Sequence, residues 1–336
     1  MLETSSGAGH QPELRSVTHC PRFQFCGIKD RRLYSWPKDR KLAVFLALNI
    51  EVFSYDDSNN AGLTGTQPAP NVSAYGWKEY GNRVGAWRIL DLLREFHMHC
   101  AVQLNSLVYS HCPELVAFSD SLGNDVVAHS RTNSERQGTK SESDEMALIK
   151  EVTATIKQHE GKAPLGWLGA GLSESMVTPD LLAEAGYRYV MDYGCMDDQP
   201  IWINTRSGKK LLAIPYAQDL NDLGAILVRH WTYKQYADAV IDAFDEMLLQ
   251  AREGEDALVM PIAIHAFLMG QPCALPHLRR VLAHIASCIQ DDIWLTTPDA
   301  IFRHIEQLPA GTVPGDDKFH KTQRYLHQSA GGCRGD

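Results

Sequence analysis

The chain has 336 residues, of which 44% are hydrophobic and 22% are charged, and its formal net charge at pH 7 is -9. A chain of this length and composition can bury a large core, as one large α/β domain or two smaller ones. The acidic balance argues against a nucleic-acid or anionic-membrane surface, which would need a basic stripe. No apolar run reaches the roughly 18 residues that span a bilayer. We therefore expect neither a nucleic-acid partner nor a membrane partner.

The eight cysteines are scattered along the chain without a C-x-x-C pair or a zinc-ribbon spacing. The N-terminal residues form neither a basic segment nor an apolar one, so they do not resemble a secretory signal. Cysteines in such a chain are typically reduced thiols. The sequence thus predicts a cytoplasmic protein.

The first long apolar run, Leu42–Ile50, is followed at once by Glu51. A continuous run of branched and aromatic residues is typical of a strand that is buried on both faces. Residues 1–40, before it, are polar and irregular, and we interpret them as an arm over the body with a disordered tip. Residues 52–82, after it, lack strong periodicity and predict a long loop, which is often functional.

Strands and helices then alternate almost to the end of the chain. This alternation favours a parallel sheet or barrel with crossover helices, built as one domain over residues 41–308. Residues 309–336 are polar and contain Gly and Pro, which predicts a loose tail. The predicted helices are 84–96, 113–118, 143–159, 180–185, 233–252, 276–289 and 298–307, and the later strands are 101–105, 125–129, 165–171, 187–192, 210–215, 257–265 and 293–296.

Four predicted strands end in side chains that can do chemistry, namely Glu51, His129, Asp192 and His265. Each of them alone has a structural explanation, as a loop, cap or core residue. The carboxyl ends of barrel strands meet at one face, however, so their shared position favours a common site. A carboxylate that activates water and a histidine that protonates a leaving nitrogen suit the hydrolysis of an unreactive carbonyl compound.

A set of segments runs in order from about residue 36 to residue 308, namely Trp36-Pro37, Leu48–Glu51, Tyr80–Arg88, Ala128–Asn133, Gly166-Trp167, Asp197–Trp202, Pro215-Tyr216, Asn221-Asp222 and Ile264–Pro272. Together these segments resemble the polysaccharide deacetylase superfamily. The branch they match most is that of the metal-independent allantoinases and related cyclic-amide hydrolases. The resemblance implies a distorted, incomplete (β/α) barrel of seven strands.

The chain departs from this family at the metal ligands. Deacetylases of the superfamily carry an Asp-Asp pair after the first strand, a base and a ligand, where this chain has Glu51 and Val52. Their His-Ser/Thr-x-x-His pair supplies the other two ligands, but here the second histidine is Asn133. A catalytic zinc needs about three protein ligands. The resemblance therefore implies no metal cofactor; the alternative is a zinc held by Glu51, His129 and His265, which would have to come from distant strands of the rim.

The resemblance also implies roles for the site residues. Glu51 corresponds to the base, His265 to the general acid, and His129 would orient water or substrate. The Arg-x-Pro-x-Gly motif that positions the family's base is absent from residues 167–173. A small planar amide or ureide needs donors and acceptors together, and the expected substrate-binding residues are Arg83, Asn133, Asp192, Asp198, Trp202, Tyr216, Asn221 and Asp222.

Three functions are compatible with this pattern. The leading one is a metal-independent hydrolase of a non-peptide C–N bond in a small cyclic amide, imide or ureide, which resembles an allantoinase. The second is a metal-dependent N-deacetylase of a carbohydrate, and the third is a catalytically silent protein that binds a small molecule. The family resemblance further implies a homo-oligomer.

Overall fold

The computed structural model describes residues 19–56, 68–254, 256–288 and 292–322. Within them, a sheet of nine strands is covered on its outside by helices. The strands are β1 Leu42–Ile50, β2 Ala101–Leu104, β3 Asp125–Ala128, β4 Gly166–Trp167, β5 Tyr189–Val190, β6 Ile201–Asn204, β7 Lys210–Ala213, β8 Leu258–His265 and β9 Ile293–Leu295. The helices are α1 Val72–Tyr80, α2 Ala86–Glu95, α3 Val108–His111, α4 Pro113–Ser121, α5 Glu142–Glu160, α6 Thr178–Ala185, α7 Tyr233–Gly254, α8 Ala266–Met269, α9 Leu275–Cys288 and α10 Pro298–Gln307.

The strand order is β6-β7-β5-β4-β3-β2-β1-β8, with β9 beside the start of β1. All pairs are parallel except β6 with β7. Among the described residues, β6 and β8 at the two ends do not pair with each other, so hydrogen bonds do not close the sheet into a full barrel. This arrangement confirms the predicted distorted, incomplete (β/α) barrel, although with nine strands instead of seven.

Strand β1 lies at the centre of the fold. All nine of its residues are buried, because it pairs with β2 on one side and with β8 on the other. Its side chains alternate between a core under the helices, which includes Leu46 and Leu48, and a core inside the barrel, which includes Phe45 and Ala47. The apolar run that the sequence shows is therefore what two-sided burial requires.

The predicted loop over residues 52–82 contains a helix, which corrects that expectation. Asn71 begins α1 by accepting a hydrogen bond from the Ala74 N–H at 3.0 Å. The five-residue π turn Gly81–Gly85 then joins α1 to α2. Because Val72 is exposed and Gly76 lies inside α1, no apolar stripe announces the helix. Residues 57–67 of the predicted loop lie outside the described residues.

The described parts of the arm and of the tail pack on the barrel. The buried Trp36 donates its indole N–H to the Leu258 carbonyl at 2.9 Å. In the tail, Val313 is buried and Gly315 accepts a hydrogen bond from the Lys210 ammonium. The tail is thus packed, not loose, as far as residue 322. Residues 1–18, with the predicted disordered tip, and 323–336 lie outside the described residues, and the domain boundaries stay a prediction.

No helix within the described ranges is long and apolar enough to cross a membrane.

Candidate active site

The carboxyl ends of β1, β3 and β8 bring Glu51, His129 and His265 together in the barrel mouth. The carboxylate oxygen Oε1 of Glu51 lies 3.4 Å from Nε2 of His129 and 3.8 Å from Nε2 of His265. All three side chains are buried. The expectation that they sit on distant strands is therefore wrong, because β1 pairs directly with β8 and β3 is only two strands away.

The second carboxylate oxygen of Glu51 is left without a hydrogen-bond partner among the described residues. Oε2 is buried and accepts no hydrogen bond from the described residues. Glu51 lines a cavity of about 230 Å³ together with both histidines. An unpaired buried carboxylate oxygen is costly, so Oε2 is the natural acceptor for a water or a substrate N–H.

Asn133 donates a hydrogen bond to Oε1 of Glu51. The orientation of its amide group follows from backbone hydrogen bonds to the neighbouring Asn105. Oδ1 of Asn105 accepts the Val52 N–H at 2.8 Å, and its Nδ2 donates to the His129 carbonyl. The Asn105 amide therefore presents N–H to Oδ1 of Asn133, at 3.2 Å. The remaining end of Asn133, which faces Glu51, must be its NH2 group.

His265 is held by Asp222 through two hydrogen bonds. Oδ1 of Asp222 accepts from Nδ1 of the ring at 2.6 Å, and Oδ2 accepts from the His265 backbone N–H at 2.7 Å. This arrangement directs Nε2 of His265 towards Glu51 and the cavity. Burial raises the pKa of the Asp222 carboxyl, and the neighbouring His265 offsets this only in part.

Glu51 and His265 each shift the pKa of the other in the direction that favours its charged form. Burial alone would lower the pKa of His265, but the Asp222 and Glu51 carboxylates outweigh it and hold that pKa above its ordinary value. Burial alone would raise the pKa of Glu51, but His265 and His129 outweigh it and hold that pKa below its ordinary value. These two shifts favour an ionised Glu51 and a protonated His265.

His129 has a fixed tautomer. Its Nδ1 lies 2.7 Å from the Leu168 carbonyl oxygen, which can only accept, so Nδ1 carries a proton. Nε2 therefore accepts a hydrogen bond when the ring is neutral and donates to Glu51 when the ring is an imidazolium. The ring can orient a water beside Glu51 in its neutral form.

Tyr216 supplies a hydroxyl to the cavity wall. Asn49 donates to the Tyr216 hydroxyl oxygen and to the Ile264 carbonyl, both at 3.2 Å. Since Tyr216 accepts from Asn49, its own proton can point to a ligand in the cavity that both residues line. Burial raises the pKa of Tyr216, which keeps the phenol protonated and able to donate.

Asp192 supports the site from behind. Both of its oxygens accept the Gly169 N–H at 2.9 Å, and Gly169 lines the cavity where Asp192 does not. Burial raises the pKa of Asp192 to about 7. Burial and the charge of Asp192 together raise the pKa of the nearby Glu174 to about 9. Asp192 is thus a support for the turn that begins at Gly169.

Three residues predicted to bind substrate lie away from this cavity. Arg83 is on the helix surface, where 74% of its side chain is exposed and it pairs with Glu79. Asp198 and Trp202 line a separate cavity beneath the N-terminal arm. These three positions correct the sequence prediction, which grouped them with the barrel mouth. Asn133, Tyr216 and Asn221 do line the mouth, and Asp222 acts on it through His265.

Sequence reasoning missed several residues of the site. Asn105 does not line the cavity but orients Asn133, and it follows β2 as Glu51 follows β1, so its position after a strand was the available signal. Asn49 also precedes a strand end. Nothing in the sequence marks the loop residues that complete the wall, namely Gly171, Leu172, Gln218, Leu223, Gly224 and Val228.

The residues at the cavity do not fit the family's metal site. Asn133 presents an N–H to Oε1 of Glu51, and an amide N–H cannot bind a cation as the imidazole nitrogen of the family's second histidine does. Within the described ranges, one set of three ligand atoms lies within 4.8 Å of one another, Asp245, His284 and Cys288, and it is on the outer helices. A metal at Glu51, His129 and His265 thus lacks both the compact ligand set and the acceptor at position 133.

Comparisons with known proteins show which proteins this chain is similar to. A curated Schizosaccharomyces pombe protein named "Putative polysaccharide deacetylase" is 26% identical over 292 residues, which cover 79% of this chain and 90% of that protein. The structure of PuuE allantoinase matches with a TM-score of 0.70 and 26% identity over 80% of this chain and 91% of that one. A probable polysaccharide deacetylase from Pseudomonas aeruginosa PAO1 shares the fold, with a TM-score of 0.69 and 24% identity over 81% and 93% of the two chains. No protein-family model matches.

The proteins that this chain resembles in sequence and fold are thus polysaccharide deacetylases by name and an allantoinase. The chain is thus similar to the polysaccharide deacetylase superfamily, including its allantoinase-like branch, as the sequence motifs predicted.

Proposed function

We propose that this protein hydrolyses a C–N bond in a small cyclic amide, imide or ureide without a metal. The observation that carries this proposal is the state of Glu51. Its Oε1 faces Asn133 and two histidines, whereas its buried Oε2 has no partner among the described residues. A carboxylate held in this way can take a proton from water.

In the first step, Glu51 Oε2 accepts a proton from a water that His129 orients. The water oxygen forms a bond to the carbonyl carbon, and the carbonyl oxygen gains negative charge. The hydroxyl of Tyr216 is placed to donate a hydrogen bond to that oxygen, as an oxyanion donor does in other acyl transfers. The charge of the intermediate is then stabilised by a neutral donor of the cavity wall.

In the second step, Nε2 of His265 gives its proton to the leaving nitrogen, and the C–N bond breaks. Asp222 stays ionised and keeps the ring in place, so it is a positioning residue. The net reaction adds one water across the bond. For the next turnover the proton on Glu51 Oε2 must return to Nε2 of His265, and a water molecule in the cavity can relay it.

The size of the cavity supports a small substrate. About 230 Å³ is below the range of roughly 300–1,000 Å³ that holds drug-sized ligands. A planar ring with alternating C=O and N–H groups matches a wall that offers Asn221, Gln218 and Tyr216. The names of the relatives keep a metal-dependent carbohydrate deacetylase as the second candidate.

One assay separates these candidates. The tag-free protein is incubated with cyclic ureides, imides and amides and with N-acetylated sugars, before and after EDTA. We expect ring opening that EDTA does not affect. Loss of activity with EDTA, or deacetylation of sugars only, would support the second candidate instead, and ligand stabilisation without turnover would support a silent binding protein.

The site residues are tested in the same assay. We expect Glu51→Gln and His265→Ala to abolish measurable turnover. The matched controls are Glu151→Gln and His99→Ala, whose side chains are outside the cavity. Turnover retained in either site variant would remove the role proposed for that residue.

We also propose a cytoplasmic homo-oligomer. The seven cysteines within the described residues are all free thiols, as a reducing compartment would keep them. Light scattering on the purified protein tests the oligomer, and a mass equal to one chain would contradict it.

A further inference from the structure

The outer helices α7 and α9 bring three different ligand groups together, far from the barrel mouth. Asp245 lies on α7, and His284 and Cys288 lie on α9. We propose that these three side chains form a second, non-catalytic site that binds one zinc ion.

The three ligand atoms are near enough to one another to converge on one ion. Oδ1 of Asp245 lies 2.7 Å from Nε2 of His284, and the ligand atoms of all three residues lie within 4.8 Å of one another. Ligand atoms around a tetrahedral zinc are roughly 3.3–3.8 Å apart, given bonds of about 2.0–2.3 Å. Shifts of side-chain rotamers alone can therefore close the set around an ion.

The two helices provide a rigid frame for the ligands. His284 and Cys288 are four residues apart and so point from the same face of α9. The buried Phe244, next to Asp245 on α7, packs edge-on against the His284 ring with centroids 5.7 Å apart. The ring is thereby held towards α7, where the carboxylate is.

The chemistry of the set selects zinc. Nitrogen, sulfur and oxygen donors suit a borderline-soft ion, whereas calcium and magnesium need oxygen only. The thiolate and the carboxylate together cancel the charge of a divalent ion. The side chains of Asp245 and His284 are 54% and 29% exposed, which leaves an entry path and a fourth position for water.

The ordinary alternative is an ion pair between Asp245 and His284 with a reduced thiol nearby. It predicts no uptake of zinc. The two readings differ at Cys288, since sulfur contributes only when a metal is bound. A sulfur ligand also distinguishes this site from one at the barrel mouth, where no cysteine lines the cavity.

Cobalt(II) reports this difference directly. We titrate the tag-free full chain with cobalt chloride and record its absorption, then displace the cobalt with zinc. We expect one ion per chain with a near-ultraviolet thiolate-to-cobalt band, and loss of the band in Cys288→Ser. His284→Gln should weaken binding at least tenfold.

The control is Cys273→Ser, because Cys273 is an exposed thiol outside the site, and its band should be unchanged. Circular dichroism shows that each variant is folded. The proposal is wrong if wild-type protein gives no thiolate band, or if the band survives in folded Cys288→Ser. Hydrolysis by Cys288→Ser should equal that of wild type, so the result does not depend on the catalytic proposal.

Discussion

The barrel mouth and the outer α7–α9 cluster share one kind of contact, a carboxylate beside a histidine, but differ in the third group. In each, a carboxylate meets the Nε2 of a histidine, at 3.4 Å between Glu51 and His129 and at 2.7 Å between Asp245 and His284. The third group differs, because Asn133 presents an N–H at the mouth and Cys288 presents a thiol outside. We propose that the donor completes a metal-free base at the mouth and that the thiol completes a metal site outside. The partner of a His–carboxylate pair, not the pair itself, thus decides its chemistry.

The largest effect should come from Glu51→Gln, which removes the base from the mouth and leaves the outer cluster intact. We expect kcat/KM to fall about 1,000-fold, within the range of general-base catalysis. Steady-state kinetics on the best cyclic substrate measures it. Unchanged cobalt binding in the same variant would show that the two regions are independent, whereas loss of both would mean a folding defect.

Tyr216→Phe should have the next largest effect. It removes the hydroxyl that we propose as the donor to the substrate carbonyl oxygen, and we expect kcat to fall about 100-fold with little change in KM, as for other oxyanion donors. Tyr233→Phe is the control, since Tyr233 lies near Asp222 but outside the cavity. A rise in KM with unchanged kcat would instead make Tyr216 a residue of ground-state binding.

Asp222→Asn sharpens the pH dependence of the mouth. In the proposed mechanism His265 works as the protonated form, so its raised pKa should preserve activity until the pH exceeds that value. Without the Asp222 charge the pKa falls, so the alkaline limb of kcat/KM should move to lower pH by roughly one unit, since a nearby charge shifts a pKa by about 1–3 units. The control, Asp219→Asn, changes an exposed carboxylate, and an alkaline limb that does not move in Asp222→Asn contradicts the assignment.

The smallest effect concerns the outer cluster. A zinc ion at 100 times its Kd adds about 2.7 kcal/mol to the free energy of unfolding, so Tm should rise by roughly 2–6 °C. Differential scanning calorimetry with and without zinc measures the rise. We expect none in Cys288→Ser, and a full rise in that variant would place the ion elsewhere.

The sequence predicted the frame of the barrel better than its edges. Strands such as β1 and β8 are continuous apolar runs, and their ends were predicted within a residue. β6 was missed because it pairs only with β7 and lies at one end of the sheet, with exposed residues such as Asn204. The helix α1 was missed because packing, rather than an apolar stripe, stabilises it.

The same contrast holds for the site. The strand-end rule brought Glu51, His129 and His265 together correctly as candidates, since topology alone dictates where parallel strands end. The role of Asn133 depends instead on a chain of amide orientations that starts at the Val52 N–H. The prediction for Arg83 was wrong because a sequence motif does not show in which direction a side chain points. The sequence alone does not predict amide orientations or side-chain directions of this kind.

The π turn Gly81–Gly85 limits how this enzyme can change. Asn82 in the turn holds the Glu51 carbonyl at 2.8 Å, and a Cβ on Gly85 would overlap the carbonyl of Ala266, which directly follows His265. The positions of Glu51 and His265 thus both depend on contacts with this short segment of backbone. Variants selected for new substrates should accumulate substitutions in the loops of the cavity wall, around Leu172 and Val228, and leave this turn untouched.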